Sequence, residues 1–160
     1  MNPFYSDAYE AFHQQWALVT AGDMTGFNTM TIGWGGVGCL WRRPVATVYV
    51  RPCRYTYQFM ENNDYFTVSF FGDEYRDALK LLGAKSGRDC DKVQLSGLTP
   101  VPAGKSVTFA QAECTLLCKK IYHHDLQADQ IPEDIFNQFY QPGETPHRVY
   151  YGQIIDVIQP

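Results

Sequence analysis

The stretch 147–158 constrains the fold of this chain more than any other. Val149, Tyr151, Ile155 and Val157 alternate with Tyr150, Ile154 and Ile158, so an extended chain here is apolar on both faces. A strand of that kind needs cover above and below, which suits a central strand or a barrel wall. Further strands are expected at 16–20, 28–32, 45–51 and 65–71, with one or two long strands across 107–122. Gly22-Asp23-Met24-Thr25-Gly26 is a turn signal and joins the first two as a hairpin.

Helical signals are short by comparison. Ser6-Asp7 can cap a helix over 8–15, and Thr56 stands where an N-cap would open a helix over 57–62. Tyr75, Ala78, Leu79 and Leu82 recur at helical spacing, which predicts a helix over 73–82 stopped by Gly83. Pro132 near N1, followed by Glu133 and Asp134, predicts another over 132–140. The segments 100–104 and 141–146 read as loops, and 85–92 as a polar, densely charged connection. Strands outnumber helices and no βαβ alternation occurs. The expected architecture is mainly β, a closed or split barrel with short flanking helices.

A chain of 160 residues is expected to form a single domain and to bury roughly 70% of its unfolded surface without staples. The formal charge of −4 argues against a general nucleic-acid binder. No basic-then-apolar leader opens the chain, and no apolar run approaches the ~18 residues of a membrane span, so a cytoplasmic protein is expected. The scattered Cys39, Cys53, Cys90, Cys114 and Cys118 contain no C-x-x-C and fit reduced thiols. Four residues of strand span about 13 Å, so Cys114 and Cys118 cannot bridge or share a metal within one regular strand. His123-His124-Asp125 lacks a further Cys or His partner set, and no zinc site is expected there.

The chemistry concentrates between Asn28 and Thr56. Gly33, Gly35 and Gly38 match G-x-G-x-x-G, yet a β-branched run follows Pro44, and no Asp or Glu occurs between Asp23 and Glu61. A dinucleotide fingerprint needs a helix and an acidic residue at those places, so that reading fails. The glycines instead let the backbone turn tightly and approach a ligand closely, or form a Gly-rich loop. At the other end, Arg51, Arg54 and Thr56 sit at a strand-to-helix junction. Helix N-termini favour anions and Arg binds phosphate through forked hydrogen bonds. Two readings stand: a phosphate grip for a flat aromatic ligand, or a surface arginine pair beside a structural cap.

Taken together the motifs resemble one family. They are Asn28-Thr29-Met30-Thr31-Ile32-Gly33-Trp34-Gly35, Arg51-Pro52-Cys53-Arg54-Tyr55-Thr56, Phe66-Thr67-Val68-Ser69-Phe70-Phe71, Ser86-Gly87-Arg88-Asp89-Cys90-Asp91-Lys92, Gly97-Leu98-Thr99-Pro100 and His147-Arg148-Val149-Tyr150-Tyr151-Gly152. In that order, across nearly the whole chain, they resemble the flavin reductase-like proteins with the FMN-binding split barrel, among them flavoredoxin-like proteins and the reductase components of two-component monooxygenases. The resemblance implies a homodimer with noncovalent FMN near the subunit interface. It implies that Asn28, Thr29, Met30, Thr31, Ile32, Gly33 and Trp34 line the isoalloxazine. Arg54 and Thr56 would hold the phosphate, with Tyr55 beside them and Arg51, Ser86, Arg88 or Lys92 assisting, and His147, the catalytic candidate, would lie near the ring, from its own or the partner subunit. Cys53 and Gln153 depart from the family pattern, which has Ser and Glu there.

The resemblance implies an NAD(P)H:FMN oxidoreductase that passes electrons to free flavin, a partner monooxygenase or an electron-transfer protein. Two alternatives stay open: a flavoredoxin-like FMN carrier without NAD(P)H activity, and a non-enzymatic split-barrel binding protein.

Overall fold

A computed structural model describes residues 8–160; the expected Ser6-Asp7 cap lies outside them. In chain order, α1 (Ala8–His13) is followed by β1 (Ala17–Asp23), β2 (Gly26–Ile32), β3 (Gly35–Leu40) and β4 (Arg43–Val50). Then come α2 (Tyr55–Asn62), β5 (Tyr65–Phe70), α3 (Arg76–Ala84) and α4 (Lys92–Ser96). The hairpin β6 (Pro100–Ala103) and β7 (Ser106–Phe109), the long strand β8 (Cys114–Asp125), α5 (Glu133–Phe139) and β9 (Arg148–Ile158) complete the fold.

Seven strands form one antiparallel sheet in the order β2-β1-β5-β8-β9-β4-β3. β9 lies between β8 and β4, as its two apolar faces require. Val149 and Tyr150, on opposite faces, are both buried, whereas Ile155 and Val157 further along remain exposed. The expected cover therefore reaches only the first half of the strand.

The sheet curls around its own core. Val19 and Ala21 of β1, Met30 of β2, Val48 of β4, Phe66 and Val68 of β5, Leu116 and Cys118 of β8 and Tyr150 of β9 pack into one buried cluster, joined by Met60 of α2. The edge strands β2 and β3 follow one another in sequence but are not paired with each other, so the barrel is split. The opposite face of β1 carries Leu18 into a second cluster with Leu79 and Leu82 of α3, Leu98 and Phe109.

Between these clusters β7 settles on a floor of hydroxyls. Thr67 donates to the Val107 carbonyl at 2.5 Å. Ser69, Thr108 and Thr115 close a triangle at 3.0, 2.6 and 3.1 Å. Each hydroxyl can both give and take a hydrogen bond, so a buried ring of them is satisfied without water.

Several elements depart from the sequence expectation. The Gly-rich segment is not a loop but strand β3, held in register by β4 from Gly35↔Val48 to Leu40↔Arg43. Its turn uses Trp41 (φ 51°) and Arg42 (φ 58°), a left-handed pair without the Gly or Asn that normally signals such a hairpin. Gly83 does not stop α3; the helix runs through it to Ala84. A Cβ there would come within 3.2 Å of Thr31 Cβ, so the glycine lets α3 lie close against β2. Thr56 is not the cap of α2, which Arg54 occupies without a side-chain cap bond; Thr56 is inside the helix and buried. The segment 100–104 is strand and turn, α4 occupies the end of the charged connection, and 107–122 divides between β7 and β8. The helix expected over 8–15 ends at His13.

Gln153 finds a partner in Arg43, whose Nη1 donates to Oε1 at 2.7 Å. Gly152 has a tighter constraint: a Cβ there would lie 2.4 Å from the Phe66 ring and 2.7 Å from Cys118 Cβ. Gly152→Ala is therefore expected to destabilise the fold by about 1–3 kcal/mol through overpacking. Urea unfolding measures this, and an unchanged midpoint would show that Phe66 yields freely.

Candidate functional site

Two clefts meet at Arg54. The first, about 310 Å³, follows β2 into the 33–34 connection and is lined by Met30, Thr31, Ile32, Gly33, Trp34, Tyr49, Arg51, Arg54, Gly83 and His147. The second, about 210 Å³, sits at the start of α2 and is lined by Asn28, Cys53, Arg54, Tyr55, Thr56, Ala84, Lys85, Ser86, Arg88 and Lys92.

The first cleft borders a free strand edge. Among the described residues β2 pairs with β1 alone, so every second residue directs its backbone N–H and C=O away from the sheet. Such an edge offers donors and acceptors at a fixed spacing to a planar ligand. Aromatic groups surround it: the Trp34 ring lies 4.8 Å from His147 and 5.2 Å from Phe139 of α5. The Tyr140 hydroxyl lies 2.7 Å from His147 Nδ1. When the phenol donates, Nδ1 accepts and Nε2 carries the imidazole proton. Burial, with Arg51 and Arg54 nearby, holds the His147 pKa down to about 4, so the ring is neutral near pH 7.

The second cleft is cationic. Arg54, Lys85, Arg88 and Lys92 line it and, among the described residues, no carboxylate does. In the first turn of α2 the Tyr57 N–H donates to the Arg54 carbonyl at 3.0 Å, the Tyr55 and Thr56 N–H groups precede the helical ladder, and Arg54 at the N-cap supplies no side-chain bond to them. An anion placed there meets a helix N-terminus and several cations together.

The cations are held by the end of α3. Lys92 Nζ donates to the carbonyls of Leu82 and Lys85 at 2.9 and 3.1 Å, and Arg54 Nη2 to that of Gly83 at 2.6 Å. Burial, and then the charge of Arg54, lower the Lys92 pKa to about 8. Arg88 Nη1 donates to the Cys53 carbonyl at 3.2 Å, and its guanidinium lies 5.0 Å from the Tyr55 ring centre. Asn28 Nδ2 donates to Thr56 Oγ1 at 2.7 Å and fastens α2 to β2. Gly87 sits against this pair; a Cβ there would come within 2.4 Å of Asn28 Oδ1.

Of the expected site residues, all but Thr29 line one cleft or the other. The Thr29 side chain is fully buried instead, 2.8 Å from Thr20 Oγ1. Arg51 lines the first cleft and not the cationic one, where a phosphate-assisting residue would sit. Its Nη2 donates to the Phe139 carbonyl at 2.6 Å, and it pairs with Glu144 at 3.4 Å. Sequence reasoning missed Tyr49, Lys85, Phe139 and Tyr140. Gly83, read as a helix stop, was the one visible signal, because a glycine inside an amphipathic helix marks a close approach. Among the described residues, no group of three or more His, Cys, Asp or Glu could hold a metal ion.

An unclosed antiparallel barrel with short helices around paired aromatic and cationic clefts defines the split-barrel class. Residues 9–160 match the family model described as flavin reductase like domain, and the chain belongs to that family. Solved structures agree in fold. Flavoredoxin of Desulfovibrio vulgaris (Miyazaki F) is similar at TM-score 0.70 and 24% identity, over 91% of this chain and 69% of that one. The FMN-binding protein from Thermus thermophilus matches at TM-score 0.71 and 19% identity, over 92% and 73%. Flavoredoxin from Methanosarcina acetivorans matches at 0.72 and 18%, over 91% and 68%. No curated protein matches the chain by sequence.

The depressed His147 pKa has a consequence for stability. The unfolded chain takes up a proton on this residue near pH 6.5, whereas the folded protein resists until about pH 4. The unfolded state thus binds more protons between these values, and stability falls as pH drops through that window. His147→Phe is expected to flatten that part of the stability profile. Unfolding midpoints between pH 7 and 4 measure it, and an unchanged slope would put the His147 titration elsewhere.

Proposed function

We propose that this protein binds FMN noncovalently across the two clefts and acts as an NAD(P)H:flavin oxidoreductase. The observation that carries the reading is the meeting of the two environments at Arg54. A flat ring needs an aromatic slot with backbone donors along one side. A phosphate needs cations and free N–H groups without competing carboxylates. The donor sets fit both ends of the cofactor.

In this reading, backbone groups of the β2 edge and residues 33–34 hold the rim of the isoalloxazine, with Trp34, Tyr49 and His147 around it. Arg54, Lys85, Ser86, Arg88 and the first N–H groups of α2 hold the phosphate. Lys92 fixes the end of α3, and Thr56 and Asn28 fix α2, so these donors are positioned before a ligand arrives. Bound FMN would supply the redox chemistry, accepting hydride at its N5. The protein contributes orientation and charge. Neutral His147 offers Nε2–H as a hydrogen-bond donor and keeps a cation off the aromatic wall. Trp34 and Phe139, 38% and 39% exposed, leave an open aromatic side for a nicotinamide.

A second reading, an FMN electron carrier fed by a protein donor, is supported by the two flavoredoxins among the similar structures. A homodimer belongs to both readings. Trp41, Tyr122 and Tyr151 form a run of ring contacts at 6.1 and 5.7 Å on the outer face of the sheet, with Trp41 62% and Tyr122 48% exposed. A face of that kind is covered well by a second copy. The free cysteines support a reducing, cytoplasmic setting.

The freshly purified protein is expected to show oxidised-flavin bands at roughly 370 and 450 nm. Loss of the longer band on anaerobic NADH or NADPH supports the reductase, and its persistence the carrier. Protein that is colourless and takes up no added FMN overturns both. Arg54→Ala is expected to weaken FMN binding by about 1.5–3 kcal/mol, the worth of a charged hydrogen bond. Unchanged affinity would remove Arg54 from the phosphate end.

A further inference from the structure

Tyr140 closes α5 as its C-cap, and its place is fixed from several sides. Its N–H donates to the Phe136 carbonyl at 2.8 Å, and the two rings lie 5.3 Å apart. On one side of it Arg51 holds the Phe139 carbonyl. On the other, the Glu144 carboxylate takes the Gln141 N–H at 2.9 Å while pairing with Arg51. The Arg51 guanidinium itself lies 5.1 Å from the Tyr140 ring centre. The phenol is brought to His147 by a clamp and not by a loose segment.

The side chain is buried, and among the described residues its hydroxyl meets only His147 Nδ1. A bond between a phenol and an imidazole nitrogen can run in two directions. If Nδ1 carried the proton and donated, the phenol's own proton would have no acceptor, and a buried donor left unsatisfied is costly. If the phenol donates, both groups are satisfied and the neutral ring carries its proton on Nε2. Protonation of both nitrogens is opposed by burial and by Arg51 and Arg54. One state of the ring is left. Among the described residues no group bonds Nε2, and the ring lines the aromatic cleft.

We propose that Tyr140 is a positioning residue for this cleft: its phenol holds His147 in one orientation with the proton on Nε2, so that the cleft presents a hydrogen-bond donor to a carbonyl oxygen of a bound ring. This rests on the flavin reading above. Two rings carry such an oxygen, the isoalloxazine itself and the nicotinamide with its carboxamide. Without the phenol the imidazole is free to turn and to place its proton on Nδ1. That form directs a lone pair at the carbonyl in place of a donor.

The test uses the FMN-loaded protein, isotopically labelled in its histidine nitrogens, at neutral pH. The chain has four histidines, and the resonances missing from His147→Gln identify those of His147. The wild type is expected to show one imidazole species, protonated on Nε2. Tyr140→Phe, checked for folding by its melting curve, is expected to add a second species protonated on Nδ1. The FMN dissociation constant, from flavin fluorescence, and the KM for NADH are then compared. One of them is expected to rise about fivefold in Tyr140→Phe, the worth of a neutral hydrogen bond. A rise in the FMN constant assigns the carbonyl to the isoalloxazine, and a rise in KM alone assigns it to the carboxamide. His147→Gln supplies an amide N–H with no tautomer to set. In that background Tyr140→Phe is expected to change neither constant by more than about twofold.

A wild-type ring protonated on Nδ1 overturns the inference, and this spectrum decides even where Tyr140→Phe fails to fold. Unchanged nitrogen shifts in Tyr140→Phe overturn it as well. An unchanged FMN constant, together with an unchanged KM or with no oxidation of NADH, overturns it and leaves the flavin reading intact. An equal loss in the His147→Gln background overturns it by making Tyr140 a prop for α5 alone. Wild-type protein that binds no FMN removes the flavin reading and this inference with it.

Discussion

Lys92 is 3% exposed, and an ammonium can sit there because α3 ends there. The last carbonyls of a helix lack intrahelical donors and carry partial negative charge. Lys92 meets two carbonyls at this end and Arg54 a third. The end of α3 is thereby satisfied, and its cations are delivered beside the start of α2, where free N–H groups add positive potential. One junction between two short helices thus does the structural and the electrostatic task together. The lowered Lys92 pKa records the tension, since burial and Arg54 both oppose its charge. An anion arriving between them would relieve that opposition.

The barrel supplies the rigid frame for this junction. β2 is the element that both clefts share: its side chains fill the core through Met30 and Ile32, Thr31 Oγ1 donates to the Leu79 carbonyl of α3 at 2.5 Å, and Asn28 ties down α2. A second tie holds the far end of α2. Arg148 binds Asp125 at 2.7 Å and Glu61 at 3.2 Å, and the Tyr150 hydroxyl donates to Glu61 at 2.5 Å. Against the upward push of partial burial, the Tyr150 hydrogen bond and then the Arg148 guanidinium hold the Glu61 carboxyl below its usual range. Both ends of α2 are therefore anchored to strands, and its N-terminus is presented rather than floating.

Much of this was legible in the sequence, and the failures have physical causes. The two-sided apolar stretch correctly placed β9 in the middle of the sheet, and the hydroxyls, glycines and arginines singled out in order run along the two clefts. β3 was hidden because Gly35, Gly36 and Gly38 have poor strand propensity, and pairing with β4 supplies what the side chains do not. Its hairpin was hidden because Trp41 and Arg42 take left-handed angles without the expected turn residues. Thr56 looked like a cap because caps are recognised locally, whereas its hydroxyl was recruited by Asn28, 28 residues away. Arg51 looked like a phosphate ligand from its nearness to Arg54 in sequence. Its length carries it across to the Phe139 carbonyl and Glu144, a partnership between residues 88 and 93 positions apart that no local pattern encodes.

That displacement of Arg51 also explains how the two clefts keep different characters while sharing Arg54. Glu144 and a backbone carbonyl engage the Arg51 guanidinium, and its flat face lies 5.1 Å from the Tyr140 ring centre. The same Tyr140 meets His147, whose ring stays neutral because two nearby guanidiniums and partial burial all oppose a further positive charge. A protonated His147 would turn the aromatic wall into a second cationic pocket and blur the distinction between the two clefts. On the Trp34 side Arg51 is paired with Glu144 and His147 stays neutral, so the cations gather at the α3–α2 junction, with Arg54 shared between the two clefts.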